Sequence, residues 1–137
     1  MEIMEKQNSC VLKLEHLIFD ELHFDRKGFQ NKNSIQYEFG FNFEMRGKTE
    51  LIAHILLQGE KPEEYSVLVR ASGYFVLDEN SEYDRLTLRQ NAVAIVFPYM
   101  RTQLSLLTSQ PEVDTVVLQP LNIAQMVEDT MKSQSEK

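Results

Sequence analysis

The chain has 137 residues, 42% of them hydrophobic, and a formal charge of −7. That is one domain's worth of sequence, able to bury about two-thirds of its unfolded surface, and its acidity argues against nucleic acid or an anionic membrane as a partner. Cys10 is the only thiol, so no internal disulfide can form. MEIMEKQNSC is too polar for a signal peptide, and no apolar run reaches the ~20 residues a bilayer requires. A soluble, cytoplasmic protein is expected, with one domain over residues 10–131 between disordered ends at 1–9 and 132–137.

In chain order, the first element is a long strand. Leu12 and Leu14 share one parity, and Leu17 with Phe19, then Leu22 with Phe24, each restart it. Two phase slips predict two bulges. From Ile35 to Met45 the alternation is unbroken, with Ile35, Tyr37, Phe39, Phe41, Phe43 and Met45 on one face. Met45 to Lys48 supplies a turn into TELIAHILLQG, and Glu60 to Glu63 another into EYSVLVRASGYFVL. In these last two strands both parities are largely apolar, so the sheet is expected to be covered on both faces, by its own helices or another subunit.

The period then changes. Asp84 caps a helix whose apolar residues Leu86, Ala92, Val93, Val96, Phe97, Met100, Leu104 and Leu107 recur at three and four, with Leu88, Ile95, Tyr99 and Leu106 widening the stripe. Pro98 stands inside it at a cost of roughly 3 kcal/mol in an ordinary helix interior, which predicts a kink. Gln110-Pro111-Glu112 breaks the chain, TVVLQP runs extended, and Asn122 caps a short helix with Ile123, Met126, Val127 and Met131 on one stripe. The fold class is therefore α+β: a four-stranded antiparallel sheet, a long proline-kinked helix and a short C-terminal helix. One such sheet satisfies one side of one helix, so a helix apolar over most of its circumference predicts an oligomer, with Val93, Val96, Phe97, Pro98, Tyr99, Met100 and Leu104 at its interface.

No constellation for chemistry stands out. His16, His23 and His54 lack metal-site spacing, no nucleophile elbow or phosphate loop is present, and Cys10 reads as inert. Neither catalysis nor a cofactor is expected. Read on their own, Tyr37, Phe39, Phe41 and Phe43 are core beneath a helix.

FPYMR at Phe97 to Arg101, followed by VVLQPLNI at Val116 to Ile123, resembles the SecB family of protein-export chaperones. In that family a proline-bearing FPY helix precedes an extended segment and a P-x-N turn. LKLEHLIFDELHF at Leu12 to Phe24 and Ser72-Gly73-Tyr74-Phe75 extend the resemblance over about Leu12 to Met131. It implies an ATP-independent holdase for unfolded or precursor polypeptides, assembled as a homotetramer (a dimer of dimers), handing clients to the motor SecA. By position in the family pattern, the client groove falls on Phe29, Tyr37, Phe39, Phe41, Ile123, Met126 and Val127, and the SecA-facing acids on Glu21 and Asp25.

Three features depart from the pattern. No tryptophan stands in the crossover loop near Asn33, Leu68 replaces an acid, and the tail SQSEK is short. Relatives dedicated to one client, such as an antitoxin, share the fold and do without SecA docking. A small α+β domain holding an apolar ligand is a third reading of the same elements.

Overall fold

The computed structural model describes residues 12–78 and 84–135. Residues 1–11, Cys10 and the whole of the expected disordered N-terminus among them, lie outside the described residues. Strands β1 (Leu12–Arg26), β2 (Gln36–Arg46), β3 (Glu50–Lys61) and β4 (Tyr65–Leu77) form one antiparallel sheet in the order β1-β4-β3-β2. Helix α1 (Arg85–Leu107) and helix α2 (Ile123–Ser135) follow. The four-strand, two-helix α+β order expected from periodicity is the one observed.

β1 breaks its register with β4 twice, between Leu14 and His16 and between Phe19 and Glu21. Each break inserts one unpaired residue, which lets Leu12, Leu14, Leu17, Phe19 and Phe24 all pack against the core although strict alternation would have turned some of them outward. The parity slips in the sequence mark those two bulges. Leu22 remains 43% exposed.

The core lies between one face of the sheet and α1. Leu51, Ala53, Ile55 and Leu57 of β3 and Val67, Val69, Ala71 and Phe75 of β4 meet Leu88, Ala92, Val93, Val96, Phe97, Met100 and Leu104 of α1, all buried. Gly73 permits the approach, since a Cβ there would sit 2.8 Å from Val96 Cγ2. Asp84 caps α1 as expected, its carboxylate accepting from Thr87 N at 3.1 Å. The helix runs unbroken through Pro98, which lies on the exposed side together with Ala94, the residue whose carbonyl loses its donor, so water can satisfy the freed oxygen.

Residues 113–121 return along α1 as an extended strap. Arg101 Nη2 donates to Leu118 O at 3.1 Å, Ser105 Oγ to Val116 O at 2.7 Å, and Val116 N to the buried Thr108 Oγ1 at 2.9 Å. Asn122 Oδ1 then accepts from Gln125 N at 3.1 Å and opens α2. That helix ends at Ser135 rather than at Met131, so residues 132–135 continue the helix and are not the start of a tail. The Glu128–Lys132 pair at 3.2 Å helps carry it past the last apolar position.

One expectation needs correction. Of the seven residues assigned to an oligomer interface, Val93, Val96, Phe97, Met100 and Leu104 are at most 4% exposed within one chain, consumed by its own sheet. Pro98 and Tyr99 alone among the seven are exposed, beside Ile95, Leu106 and Val117. Among the described residues the outer face of the sheet carries no helix, and Ile18 and Val76 are 47% and 38% exposed there, so of the two covers expected only this chain's own helices are seen, on the inner face.

Candidate client-binding face

β2 is the edge strand that α2 overlies. Its inward row is Tyr37, Phe39, Phe41 and Phe43, paired in register with Gly59, Leu57, Ile55 and Ala53 of β3. α2 turns Ile123, Met126, Val127 and Met131 toward that row. Of the residues placed in the groove by resemblance, Phe41 and Val127 are 5% and 0% exposed and belong to the dry core. Tyr37, Phe39, Ile123 and Met126 pack against that core but stay partly exposed.

Phe39 links the row to α1. Ring centroids lie 6.3 Å apart for Tyr37 and Phe39 and 6.0 Å for Phe39 and Phe97, within the range of favourable aromatic pairs. Burial raises the Tyr37 hydroxyl pKa, and burial first, with Tyr37, Glu64 and Asp114 adding, pushes Tyr65 up to about 12. At the far end of the row the Arg89 guanidinium sits 4.9 Å above the Phe43 ring, a cation–π contact. Burial, with the nearby Arg85 charge adding, lowers the Arg89 pKa. Phe29 stands apart from the other six: it is 87% exposed in the crossover loop, beside Arg26, Lys27, Pro111 and Glu112.

The outer face presents different chemistry. Glu21 is ion-paired to Arg70 at 3.0 Å, Asp25 is exposed beside Ser66, and Leu68 lies between His23 and Gln58. Sequence reading missed a polar chain that crosses all four strands. Ser72 Oγ donates to Asp20 Oδ2 at 2.6 Å, His54 Nδ1 lies 2.9 Å from the same hydroxyl, and His54 Nε2 lies 3.6 Å from Glu44 Oε1. Asp20 reaches Ser72 because it is the residue inserted at the second bulge. Ser72 Oγ is the donor to a carboxylate, but at 2% exposure its hydroxyl is closed to any substrate. Arg46, with His54 adding, holds the Glu44 carboxyl below its usual pKa. Among the described residues no group of three ligating side chains could hold a metal, and no helix is long and apolar enough to cross a membrane.

These features match known proteins unevenly. No protein-family model matches the sequence. It is 30% identical over 150 residues, 98% of this chain and 96% of the relative, to Uncharacterized protein MJ0357 of Methanocaldococcus jannaschii. The chain belongs to the family of that archaeal protein. In three dimensions it is similar to the Mycobacterium tuberculosis SecB-like chaperone Rv1957, solved in complex with a ChAD peptide from the Rv1956 HigA1 antitoxin. The TM-score is 0.66 over 88% of this chain and 96% of that one, at 11% identity. A Streptococcus agalactiae protein of unknown function superposes at a TM-score of 0.49 and 11% identity, over 81% of this chain and 98% of that one. The fold is SecB-like, a likeness of architecture at that level of identity.

Proposed function

We propose that this chain is an ATP-independent holdase that binds extended, apolar segments of other polypeptides along β2 and beneath α2. The observation that carries the reading is the contrast within one aromatic row: Phe41 is spent on the core, while Tyr37 and Phe39 keep part of their rings open beside Ile123 and Met126. Flat rings and thioethers accept many side-chain shapes, each buried client residue contributing at most ~1.5–3 kcal/mol. Firm holding then requires several grooves at once. A homotetramer in the manner of the SecB family, using Ile95, Tyr99, Leu106 and Val117 on the exposed side of α1, would supply them through effective concentration. The similar Rv1957 structure, with its antitoxin-derived peptide, lends support to a polypeptide client.

A dedicated single-client role is the second reading. Glu21 is already neutralised by Arg70, and Leu68 stands in the middle of the outer face, so the surface offered to a SecA-type motor is reduced. Export through the Sec translocase belongs to the first reading and requires that motor. Light scattering from several unrelated proteins diluted out of denaturant separates the two. A general holdase suppresses aggregation of most of them at equimolar tetramer, whereas a dedicated one suppresses none and instead co-purifies with one small protein. A folded, dispersed chain that does neither would remove both readings.

A further inference from the structure

Four methionines lie among the described residues, and their surroundings differ. Met100 is closed in the core between α1 and the sheet, at 0% exposure. Met45, next to last in β2, is 37% exposed and stands outside the core cluster. Met126 and Met131 alone combine both conditions: each packs against the core and each keeps part of its surface open. A thioether is oxidised only where an oxidant can reach the sulfur. The chain therefore holds one shielded methionine, one open and idle, and two that are both reachable and structural.

What those two hold is α2. At 13 residues such a helix is marginal on its own in water and owes its stability to the packing of one apolar face. That face is Ile123, Met126, Val127 and Met131, so half of its anchors are thioethers. Its first turn is also tied to α1, by Gln90 Nε2 donating to Ala124 O at 2.9 Å. With the helix seated, Val127 and Phe41 are closed, at 0% and 5% exposure, while Tyr37 and Phe39 stay partly open. The roof hides part of the aromatic row.

A methionine sulfoxide is polar where the thioether was apolar. Two of them can return to an apolar seat only by giving up their water, the cost of burying polar groups without partners. Oxidation thus favours α2 lifted over α2 seated. Apparent affinity scales with the fraction of molecules in the binding-competent form, so a shift toward the lifted helix tightens binding to whatever the row takes.

We propose that Met126 and Met131 are oxidative modification sites that switch the client-binding face: a peroxide converts both thioethers to sulfoxides, α2 loosens, and Phe41 joins Tyr37 and Phe39 as open surface. At each sulfur an S–O bond forms as the O–O bond breaks. The sulfur gives up two electrons and hydrogen peroxide leaves as water, with no proton drawn from the protein. The proposal rests on the holdase reading, whose clients gain a longer row.

The test treats the full chain with hydrogen peroxide in a Cys10→Ser background, which removes the only thiol, and maps sulfoxides by mass spectrometry. Affinity for a reduced, carboxymethylated unfolded protein and hydrogen exchange of the α2 amides are followed on the same samples. Sulfoxide is expected at Met45, Met126 and Met131 before Met100. Exchange in α2 should quicken and client affinity rise roughly five- to tenfold, both reversed by methionine sulfoxide reductase. Met126→Leu with Met131→Leu, a pair of volume-conserving changes, should hold the untreated affinity through the same treatment although Met45 is still oxidised. Met126→Gln with Met131→Gln should reach the oxidised behaviour without peroxide, and Met131→Gln alone replaces that pair if it does not fold. Faster α2 exchange with unchanged or weaker binding, a gain that persists in the leucine pair, or Met100 oxidised as fast as Met126 would each overturn the switch. Treated and untreated chains that both bind no unfolded protein, with α2 loosened as expected, would instead defeat the holdase reading and leave the switch nothing to act on.

Discussion

The inner face of the sheet is covered twice, with different results. Under α1, β3 and β4 meet a helix face in which every residue is dry: Leu57, Val69, Val93 and Met100 are each 0% exposed. Under α2, the same kind of alternating strand leaves Tyr37 and Phe39 partly open. Both halves obey one period-two pattern. What differs is the cover: a 23-residue helix laid over β4 and its two neighbours, against a 13-residue one laid over an edge strand. Hydrophobic alternation identifies an inward face, and only the dimensions of its cover decide whether that face stores stability or remains available for binding.

The contrast is broken most strongly from the dry half. Leu57→Ala should cost about 2–5 kcal/mol of unfolding free energy, read as a lower denaturant midpoint at unchanged slope, with client affinity lost only as far as the fold is lost. On the open half the expectation reverses. Phe39→Glu or Tyr37→Glu should abolish most client binding, measured by fluorescence anisotropy of a labelled unfolded chain, while the unfolding midpoint moves far less than for Leu57→Ala. A collapse of the midpoint instead would return these rings to the core.

A smaller effect comes through pH. Burial alone would raise the Glu64 carboxyl, but the Lys61 ammonium and the Asn31 amide, with Arg26 assisting, hold it below its ordinary value of 4.5. A depressed carboxyl contributes stability that is complete above the unfolded pKa and is lost as pH falls from 4.5 through the lower folded value. Acid titration should therefore loosen the crossover loop in that window in wild type and not in Glu64→Gln, followed by amide exchange. Tyr65 acts at the other extreme: stability should decline as pH rises from 10 toward about 12, and Tyr65→Phe should flatten that limb of the curve. Smallest of all, Arg89→Met should cost about 0.5–1 kcal/mol through the lost cation–π contact with Phe43, read from thermal unfolding.

Much of the fold was legible because it is written in short-range periods. The parity slips around Glu15 and Asp20 located both bulges, and Asp84 and Asn122 marked both helix starts. The long-range features were not legible. A helix apolar on most sides does not say which side its own sheet will claim, so Val93, Val96, Phe97, Met100 and Leu104 could be read as interface although they fill the core. Within the candidate site, Tyr37 and Phe41 carry the same signal in the sequence, and only the placement of α2 separates them. Glu64 looks like one more acid in a turn with Glu60 and Glu63, because its burial depends on a loop some thirty residues earlier in the chain.

The strap at residues 113–121 makes the roof of the binding face a suspended element. α2 meets β2 only lightly, and its path is set from behind, by Arg101, Ser105 and Thr108 gripping the strap and by Gln90 Nε2 donating to Ala124 O at 2.9 Å. Those anchors are on α1 or, for Thr108, at its C-cap. A load placed on the roof is therefore borne by the long helix, the same element that carries Ile95, Tyr99 and Leu106 on its far side, and the binding face and that outer surface share one rigid beam.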